Sequence, residues 1–273
     1  LGGETNQNMT NISILISGSS NTMRENAHLS VLGAGYGNTI SGSGSEYSTI
    51  LSGHSNTISN SNSNKYQSIG SGQDHTVNGN NASIGGGRDN SLSSDETTIW
   101  GGKSNTISTS SKGSTIVGGQ SNSISASEYA TIVGGQSVVI STDYEVRGGT
   151  DNVLPLIAYN GQHSDFSIAM GGYLNQLHGK YAVLGTGRQL SLSGDYSHMG
   201  GGRQNRIKGN FNSLAQGIKQ SIQGRYNQIV GGIDNNIRGQ FNVIMHGKGN
   251  RVEGQYNTTG SGVRNQLEGG FLT

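Results

Sequence analysis

The sequence predicts an all-β protein, a parallel β-solenoid of about seventeen short coils. Three observations predict this fold: a Gly-anchored unit recurs along the 273 residues, two apolar positions recur in each unit, and polar and apolar residues alternate around them. Only 30% of the chain is hydrophobic and 47 residues are Gly, so a thin stacked fold is easier to build than an ordinary globular core. The regular placement of Ile and Val, with a net charge of +1, argues against disorder.

The repeat is anchored on a Gly, most often the second Gly of a pair. The anchors are Gly3, Gly18, Gly35, Gly53, Gly72, Gly87, Gly102, Gly119, Gly135, Gly149, Gly172, Gly187, Gly202, Gly217, Gly232, Gly247 and Gly262. Their spacing is 14 to 19 residues before Gly149, 23 at the next step and 15 from Gly172 onward. We therefore expect repeats with enlarged turns over 1–149, an irregular insertion over 150–166 and regular repeats over 167–273.

Each unit is predicted to contain a strand, a tight turn, a second strand and a second turn. The residues three before and five after the anchor, such as Ile229 and Ile237, are apolar in nearly every unit and predict two inward side chains per coil. The Gly pair between them supplies a corner where a positive φ costs little. Because a single coil cannot bury its two apolar residues, the neighbouring coils must cover them.

Two further columns are predicted to lie at the corners. Asn stands three after the anchor in thirteen of seventeen units, which predicts amide side chains that hydrogen-bond from coil to coil. An aromatic residue recurs six before the anchor and is unbroken from Phe166 to Phe271. We interpret the aromatic residues as a stacked column that stiffens the corner, with a strip for stacking sugars as the alternative.

The two strands of each unit differ on their outer faces. After the anchor the outward residues are polar, so that strand should face water. Two before the anchor, apolar residues recur among glycines, and a strand that is apolar on both faces is buried on both. This pattern predicts contact with identical parallel chains in a homo-oligomer. The predicted interface residues are Leu51, Trp100, Val117, Val133, Met170, Val230 and Met245.

Units such as STIVGGQSNSIS, ATIVGGQSVVIS and NQIVGGIDNNIRG resemble the β-roll repeats in the heads of trimeric autotransporter adhesins, the YadA-like family of bacterial surface fibres. The resemblance covers 1–149 and 166–273. It implies a left-handed β-roll, a parallel homotrimer, and adhesion without catalysis to a glycan, lipopolysaccharide or matrix protein of a host or prey cell. It also implies a place on the bacterial cell surface, reached through an outer-membrane anchor that this segment lacks. A phage or injection-system tail fibre and a structural spacer are the alternatives.

Candidate ligand-binding residues come from two features of the sequence. The insertion at 150–166 interrupts the repeat, and it contributes Tyr159, His163 and Asp165. The second feature is charge, because residues 1–170 carry 6 Lys+Arg and 12 Asp+Glu, whereas residues 171–273 carry 11 and 4. This basic half favours an anionic glycan, with a merely solvated surface as the alternative. Its candidate residues are Arg206, Lys208, Arg238 and Arg251.

The sequence predicts no catalytic or metal site. The seven His residues are scattered without a metal-binding spacing, Cys is absent, and Asp and Glu are too sparse to assign a paired-carboxylate site. We therefore expect a protein that is not an enzyme and needs no cofactor. Nucleic acid is not expected as a partner, because the pattern predicts buried aromatic residues. The chain also has no apolar run long enough to span a membrane as a helix.

Overall fold

The computed structural model describes residues 5–8, 12–24, 27–43, 45–59, 66–141, 146–148, 167–260 and 262–270. The regular secondary structure in these ranges is entirely β-strand, and the strands form a parallel β-solenoid of about 15 turns. The predicted all-β parallel β-solenoid is thus confirmed. The number of turns is slightly below the expected seventeen, because the anchors Gly3 and Gly149 lie outside the described residues, as does the insertion at 150–166.

The chain divides into two compact units, Leu1–Ser141 (unit 1) and Thr142–Thr273 (unit 2). The strands of unit 1 are β1 (Gln7–Asn8), β2 (Ile14–Leu15), β3 (Thr22–Met23), β4 (Val31–Leu32), β5 (Thr39–Ser41), β6 (Thr49–Ile50), β7 (Thr57–Ser59), β8 (Ser68–Ile69), β9 (Thr76–Val77), β10 (Ser83–Ile84), β11 (Ser91–Leu92), β12 (Thr98–Ile99), β13 (Thr106–Ile107), β14 (Thr115–Ile116), β15 (Ser123–Ile124), β16 (Thr131–Ile132) and β17 (Val139–Ile140). The odd-numbered strands each follow an anchor, and they pair in parallel to form the post-anchor sheet of unit 1. The even-numbered strands each precede an anchor, and they form the pre-anchor sheet of unit 1.

Unit 2 has the same two-sheet plan. Its strands are β18 (Val146–Arg147), β19 (Ile168–Tyr173), β20 (Gln176–His178), β21 (Val183–Arg188), β22 (Ser191–Ser193), β23 (His198–Arg203), β24 (Arg206–Lys208), β25 (Ser213–Leu214), β26 (Ser221–Arg225), β27 (Gln228–Ile229), β28 (Asn236–Gln240), β29 (Val243–Ile244), β30 (Arg251–Gln255), β31 (Thr258–Thr259) and β32 (Gln266–Gly270). The even strands β20 to β32 form its post-anchor sheet, and β18 with the odd strands β19 to β31 forms its pre-anchor sheet. Among the residues described in both units, no helix could cross a membrane.

The core consists of the two inward side chains of each coil, as predicted. Equivalent residues pair across neighbouring coils, for example Ile99 with Ile116 and Ile107 with Ile124, and all four are fully buried. Each such burial stabilises the coil by about 1.5–3 kcal/mol relative to exposure. Thr259, the polar exception to the inward pattern before the anchor, is also buried, with 6% of its surface exposed. The period of the apolar residues in the sequence therefore predicted correctly which side chains form the core.

The anchor Gly is required because neighbouring coils approach there without room for a side chain. At Gly119, φ is +99°, and a Cβ atom would stand 2.2 Å from the carbonyl oxygen of Gly135 in the next coil. The preceding Gly118 has no atom within 4 Å of the equivalent position. In this pair only the second Gly is thus fixed by the geometry of the corner.

Candidate functional site

The Asn residues three after the anchor tie each coil to the next. Asn105 Nδ2 donates to the carbonyl oxygens of Gly101, at 3.0 Å, and of Gly119 in the next coil, at 3.2 Å. Its Oδ1 accepts from the backbone N–H of Asn122, at 3.0 Å. The predicted ladder is confirmed, but its hydrogen bonds run from side chain to backbone. These amides are buried structural groups and are not available to a ligand.

Unit 2 contains a second Asn ladder that the sequence reasoning missed. Asn227 and Asn242 each donate from Nδ2 to the Oδ1 of the equivalent Asn one coil earlier, at 3.2 Å, and Asn257 does so at 3.1 Å. The column starts at Asn212, and all four residues are buried. Its signal in the sequence was an Asn directly after the aromatic residue, as in Phe-Asn and Tyr-Asn, repeated in four consecutive units.

The aromatic residues of unit 2 form a continuous stack at the corner. Its rings are Tyr181, Tyr196, Phe211, Tyr226, Phe241 and Tyr256, with neighbouring centroids 4.9 to 5.2 Å apart and interplanar angles of 12° or less. The interpretation as a stacked column is confirmed for these residues, whereas Phe166 and Phe271 lie outside the described ranges. The expectation that the aromatic residues are buried was wrong, because 41% to 55% of each ring residue is exposed.

This exposure has a conformational cause. Each stacked residue has a positive φ, between 52° and 59°, which is unusual for a bulky side chain. The chain turns there, so the alternation of inward and outward side chains stops and the ring projects sideways onto the ring of the next coil. Contact between rings offsets the strain. Since neighbours cover the ring faces, only the edges meet solvent, and no sugar can stack on the inner rings.

Four predicted basic residues lie on the outer face of the post-anchor sheet of unit 2. Arg206 and Lys208 lie on β24, Arg238 on β28 and Arg251 on β30, and all four are exposed. Arg251 is neutralised by Glu253, since its Nη2 lies 2.6 Å from Oε1, and Arg238 Nη1 lies 3.7 Å from the same oxygen. The structure therefore brings these four cations onto one sheet.

The remaining predicted ligand residues cannot be placed beside them. Tyr159, His163 and Asp165 belong to the insertion at 150–166, outside the described residues. Arg225, a further basic residue of the same half, is exposed at the end of β26, between the strands that carry Lys208 and Arg238. It stands directly before Tyr226 of the aromatic stack.

The predicted interface residues line the outer face of the pre-anchor sheets. In unit 1, Leu51, Trp100, Val117 and Val133 are 45% to 68% exposed. Between Leu51 and Trp100 lies a groove of about 360 Å³ whose lining includes Gly70 and Gly85. In unit 2, Met170 and Met245 are 61% and 49% exposed, and Val230 is half-buried. Each unit thus presents an apolar column interrupted by glycines.

One buried ladder position in unit 1 is occupied by a titratable group. His75 replaces the usual Asn, and its Nδ1 accepts from the backbone N–H of Asn90 at 3.1 Å. Its Nε2 is buried and makes no hydrogen bond to any described residue. Burial lowers the pKa of His75, an effect opposed in part by the backbone at Gly87 and Asn90. His75 is therefore held in its neutral form inside the ladder.

No catalytic arrangement emerges from these contacts. Within the described ranges, no three His, Asp or Glu side chains come together in a way that could hold a metal ion. The accessible features are instead three surfaces: a basic face, an edge of stacked rings and an apolar column. Comparison with protein-family models and with curated proteins gave no match, so the resemblance to adhesin repeats rests on the coil itself.

Proposed function

We propose that this chain is part of a bacterial surface fibre that binds a ligand on another cell without catalysing a reaction. In this proposal its coils form a left-handed β-roll, three parallel copies associate as in the YadA-like adhesins, and the parent chain is anchored in the outer membrane. The observation that carries the proposal is the exposed apolar column of the pre-anchor sheets. It supports an assembly in which those faces meet.

The energetics of the column favour a partner. Trp100 and Met170 are 68% and 61% exposed, although burying a large apolar side chain is worth about 1.5–3 kcal/mol. A partner has to offer apolar contacts at the same repeat along the coil stack. An identical parallel chain does so by construction, and closed symmetry limits the assembly to a defined number of copies. The threefold number comes from the resemblance to adhesin heads.

Ligand binding is assigned to groups that the scaffold leaves outside. The core side chains and both Asn ladders are buried, whereas Arg206, Lys208, Arg238 and Arg251 are exposed. Tyr159, His163 and Asp165 remain proposed ligand residues from the sequence alone. In a trimer every such group is present three times, which raises the avidity for a surface that carries many copies of the ligand.

Sedimentation equilibrium of the purified chain at several concentrations tests the assembly. We expect a trimer for the wild type and a monomer for the double variant Trp100→Glu and Val133→Glu, because charges cannot be buried without partners. The matched control, Ser91→Glu and Ser123→Glu, places two charges on the post-anchor sheet with one strand between them, as in the test variant, and should remain a trimer. Circular dichroism verifies folding in each case. A wild-type chain that stays monomeric would contradict the proposal.

Binding of the fluorescently labelled trimer to cells tests the adhesive role. We expect saturable binding to an encapsulated or lipopolysaccharide-bearing surface, with no new reducing ends released from the glycan. Release of reducing ends would support the tail-fibre alternative with a cleaving activity. Failure of the trimer to bind any cell surface, with binding restored in a longer parent chain, would support a structural spacer.

A further inference from the structure

We infer that the post-anchor sheet of unit 2 binds a linear anionic polysaccharide through a basic face formed by Arg206, Lys208, Arg225 and Arg238. This inference rests on the proposed binding function and names the ligand class of the surface. All four residues are exposed, and they lie on the alternate strands β24, β26 and β28, which are consecutive in the sheet.

The positions of the cations follow from the register of the sheet. Arg206 and Lys208 are two residues apart on one strand, so their Cα atoms are separated by about 6.6 Å. Lys208 and Arg238 lie two strands apart, which is about 9.6 Å at the usual strand spacing. Arg225 lies on the strand between them. Four exposed cations therefore lie on three successive coils of one sheet, with Arg225 at the end of its strand.

Acidic groups offset this charge only in part, at Arg238, whose Nη1 lies 3.7 Å from Glu253 Oε1. Arg206, Lys208 and Arg225 form no ion pair with any described residue, and Glu253 is occupied by its closer contact with Arg251. Over the four coils from β20 to β26, the outward strand positions carry no Asp or Glu. Asp195 stands in the column of Arg225 two coils earlier, where its Oδ1 accepts from the backbone N–H of Lys180 at 2.9 Å. Like charges at this spacing repel, so the arrangement favours an anionic ligand that lies across them.

The scaffold itself does not require these cations. Ser191 and Ser221 occupy the position of Arg206 in the coils before and after, and Ser193 and Gln223 flank Lys208 in the same way. In unit 1 the equivalent pairs are Ser91 with Ser93, Thr106 with Ser108, and Ser123 with Ser125, all uncharged. Because the same coil folds with hydroxyl side chains at these positions, the basic face is explained by a ligand better than by packing.

The neighbouring groups favour a polysaccharide over a single-stranded nucleic acid. Proteins that bind single strands offer free aromatic faces on which bases stack. Here the rings next to the basic face stack on each other, with centroids 4.9 Å apart for Phe211 and Tyr226, so a base has no face to contact. The cations are interleaved instead with Ser221, Gln223 and similar groups, which can hydrogen-bond sugar hydroxyls while the cations hold sulfate or carboxylate groups.

The test is titration of the full wild-type chain with heparin, polygalacturonate, neutral dextran and oligothymidylate. We expect binding to at least one of the two acidic polysaccharides, weaker at higher salt, and none to dextran. The double variant Arg206→Ser and Lys208→Ser should lose at least about tenfold in affinity, because two charge-assisted contacts are removed. Both replacements copy the preceding coil, so the melting temperature should be unchanged.

The matched control is the double variant Arg88→Gln and Lys103→Gln, which removes the same charge from unit 1 and copies Gln73 and Gln120 of that column. It should keep the wild-type affinity within about twofold.

Two outcomes would overturn the inference. An equal loss of affinity in both double variants would show that net charge alone is responsible, and tighter binding of oligothymidylate than of either polysaccharide would contradict the ligand class. Polysaccharide binding without cell binding would refute the proposed function alone, whereas cell binding without polysaccharide binding would refute only the present inference.

Discussion

The two units are built from the same coil and differ in how regularly it repeats. In unit 1 the anchors are 15 to 19 residues apart, and the enlarged turns, such as 108–113 and 125–128, all follow the post-anchor strand. In unit 2 the step is 15 residues throughout from Gly172. In each coil, the positions of the aromatic column and of the second Asn ladder come directly after the turn that follows the post-anchor strand. Both columns are continuous only in unit 2. The anchor corner lies on the other side of the coil, and its ladder persists in both units.

This difference lies in which residues occupy the column after the turn. In unit 1 that corner also has a positive φ, and Tyr47 and Tyr66 stack with centroids 5.1 Å apart although their anchors are 19 residues apart. Asn81, Glu96 and Gly113 stand at the next positions of the column, so the stack does not continue to Tyr129. The anchor corner keeps its Gly and its Asn ladder in both units, whereas the aromatic residues of the other corner are continuous only in unit 2. The following predictions test that distinction, beginning with the largest effect.

Replacement of an anchor should be equally damaging in both units. Gly119→Ala in unit 1 and Gly202→Ala in unit 2 each place a Cβ about 2 Å from the next coil's carbonyl oxygen, at a φ near +100°. We expect each to lower the free energy of unfolding by about 4 kcal/mol, from backbone strain and overpacking. Urea denaturation followed by circular dichroism measures this loss.

The control for the anchor is its neighbour. Gly118→Ala has open space for its Cβ and a φ outside the left-handed region, so its stability should change by less than about 1 kcal/mol. If Gly118→Ala and Gly119→Ala were equally destabilised, the corner would not be set by the second Gly.

Removal of an anchor-side Asn should also cost the same in both units. Asn105→Ala and Asn205→Ala each remove three hydrogen bonds of the buried corner and leave one backbone N–H without its partner. The carbonyl oxygens of Gly119 and Gly217 keep a backbone donor. We expect a loss of about 3 kcal/mol in unfolding free energy for each. Gln120→Ala, at an exposed corner, is the control and should be neutral. A loss of unfolding free energy in only one of the two variants would contradict an anchor corner that is the same in both units.

The aromatic stack should stabilise unit 2 more modestly. Tyr226→Leu interrupts rings that lie 4.9 Å from it on both sides and should reduce the unfolding free energy by about 1 kcal/mol. Tyr226→Phe keeps the stack and serves as the control. The unfolding midpoint in urea distinguishes them, and an equal effect of both variants would show that the hydroxyl, not the stack, matters.

The smallest effect is confined to acidic pH in unit 1. Because burial lowers the pKa of His75 below its ordinary 6.5, the unfolded chain binds the proton more readily than the folded one. Stability should therefore fall as the pH drops below about 6.5, until the lowered folded-state pKa is passed. His75→Asn should remove this slope, whereas His246→Asn, at an exposed position, should not. Melting temperature against pH measures it, and identical slopes for all three proteins would contradict the assignment.

Much of the scaffold could be predicted from the sequence, because it depends on local periods. The inward positions of Ile99 and Ile107 and the positive φ of the anchor follow from strand alternation and from the conformational freedom of Gly. The hydrogen bonds from the side-chain amide of Asn105 to the backbone could not be predicted, because they depend on the distance between neighbouring coils. The exposure of Tyr226 was missed because alternation gives no guidance at a corner.

The candidate site was predictable only in part, for a different reason. Arg206, Lys208, Arg238 and Arg251 were found because charge at outward strand positions is visible in the sequence. Arg225 belongs to the same basic half, but its place at the end of β26, between the strands of Lys208 and Arg238, required the structure. The partial neutralisation of Arg251 by Glu253 required the side-chain geometry, in which their closest atoms are 2.6 Å apart.

The most direct test of the central claim, that one scaffold carries its ligand through outward residues, is a transplant between the units. Thr106→Arg with Ser108→Lys places the basic pair on β13 and on the residue directly after it. Ser91 and Ser123 pair with position 106, and Ser93 and Ser125 are the equivalents of position 108 in the neighbouring coils, much as Arg206 and Lys208 are flanked on β24. Introduced into the Arg206→Ser and Lys208→Ser variant, it should restore most of the lost affinity for the acidic polysaccharide in the same titration. A folded transplant that binds no better than its parent would contradict the claim.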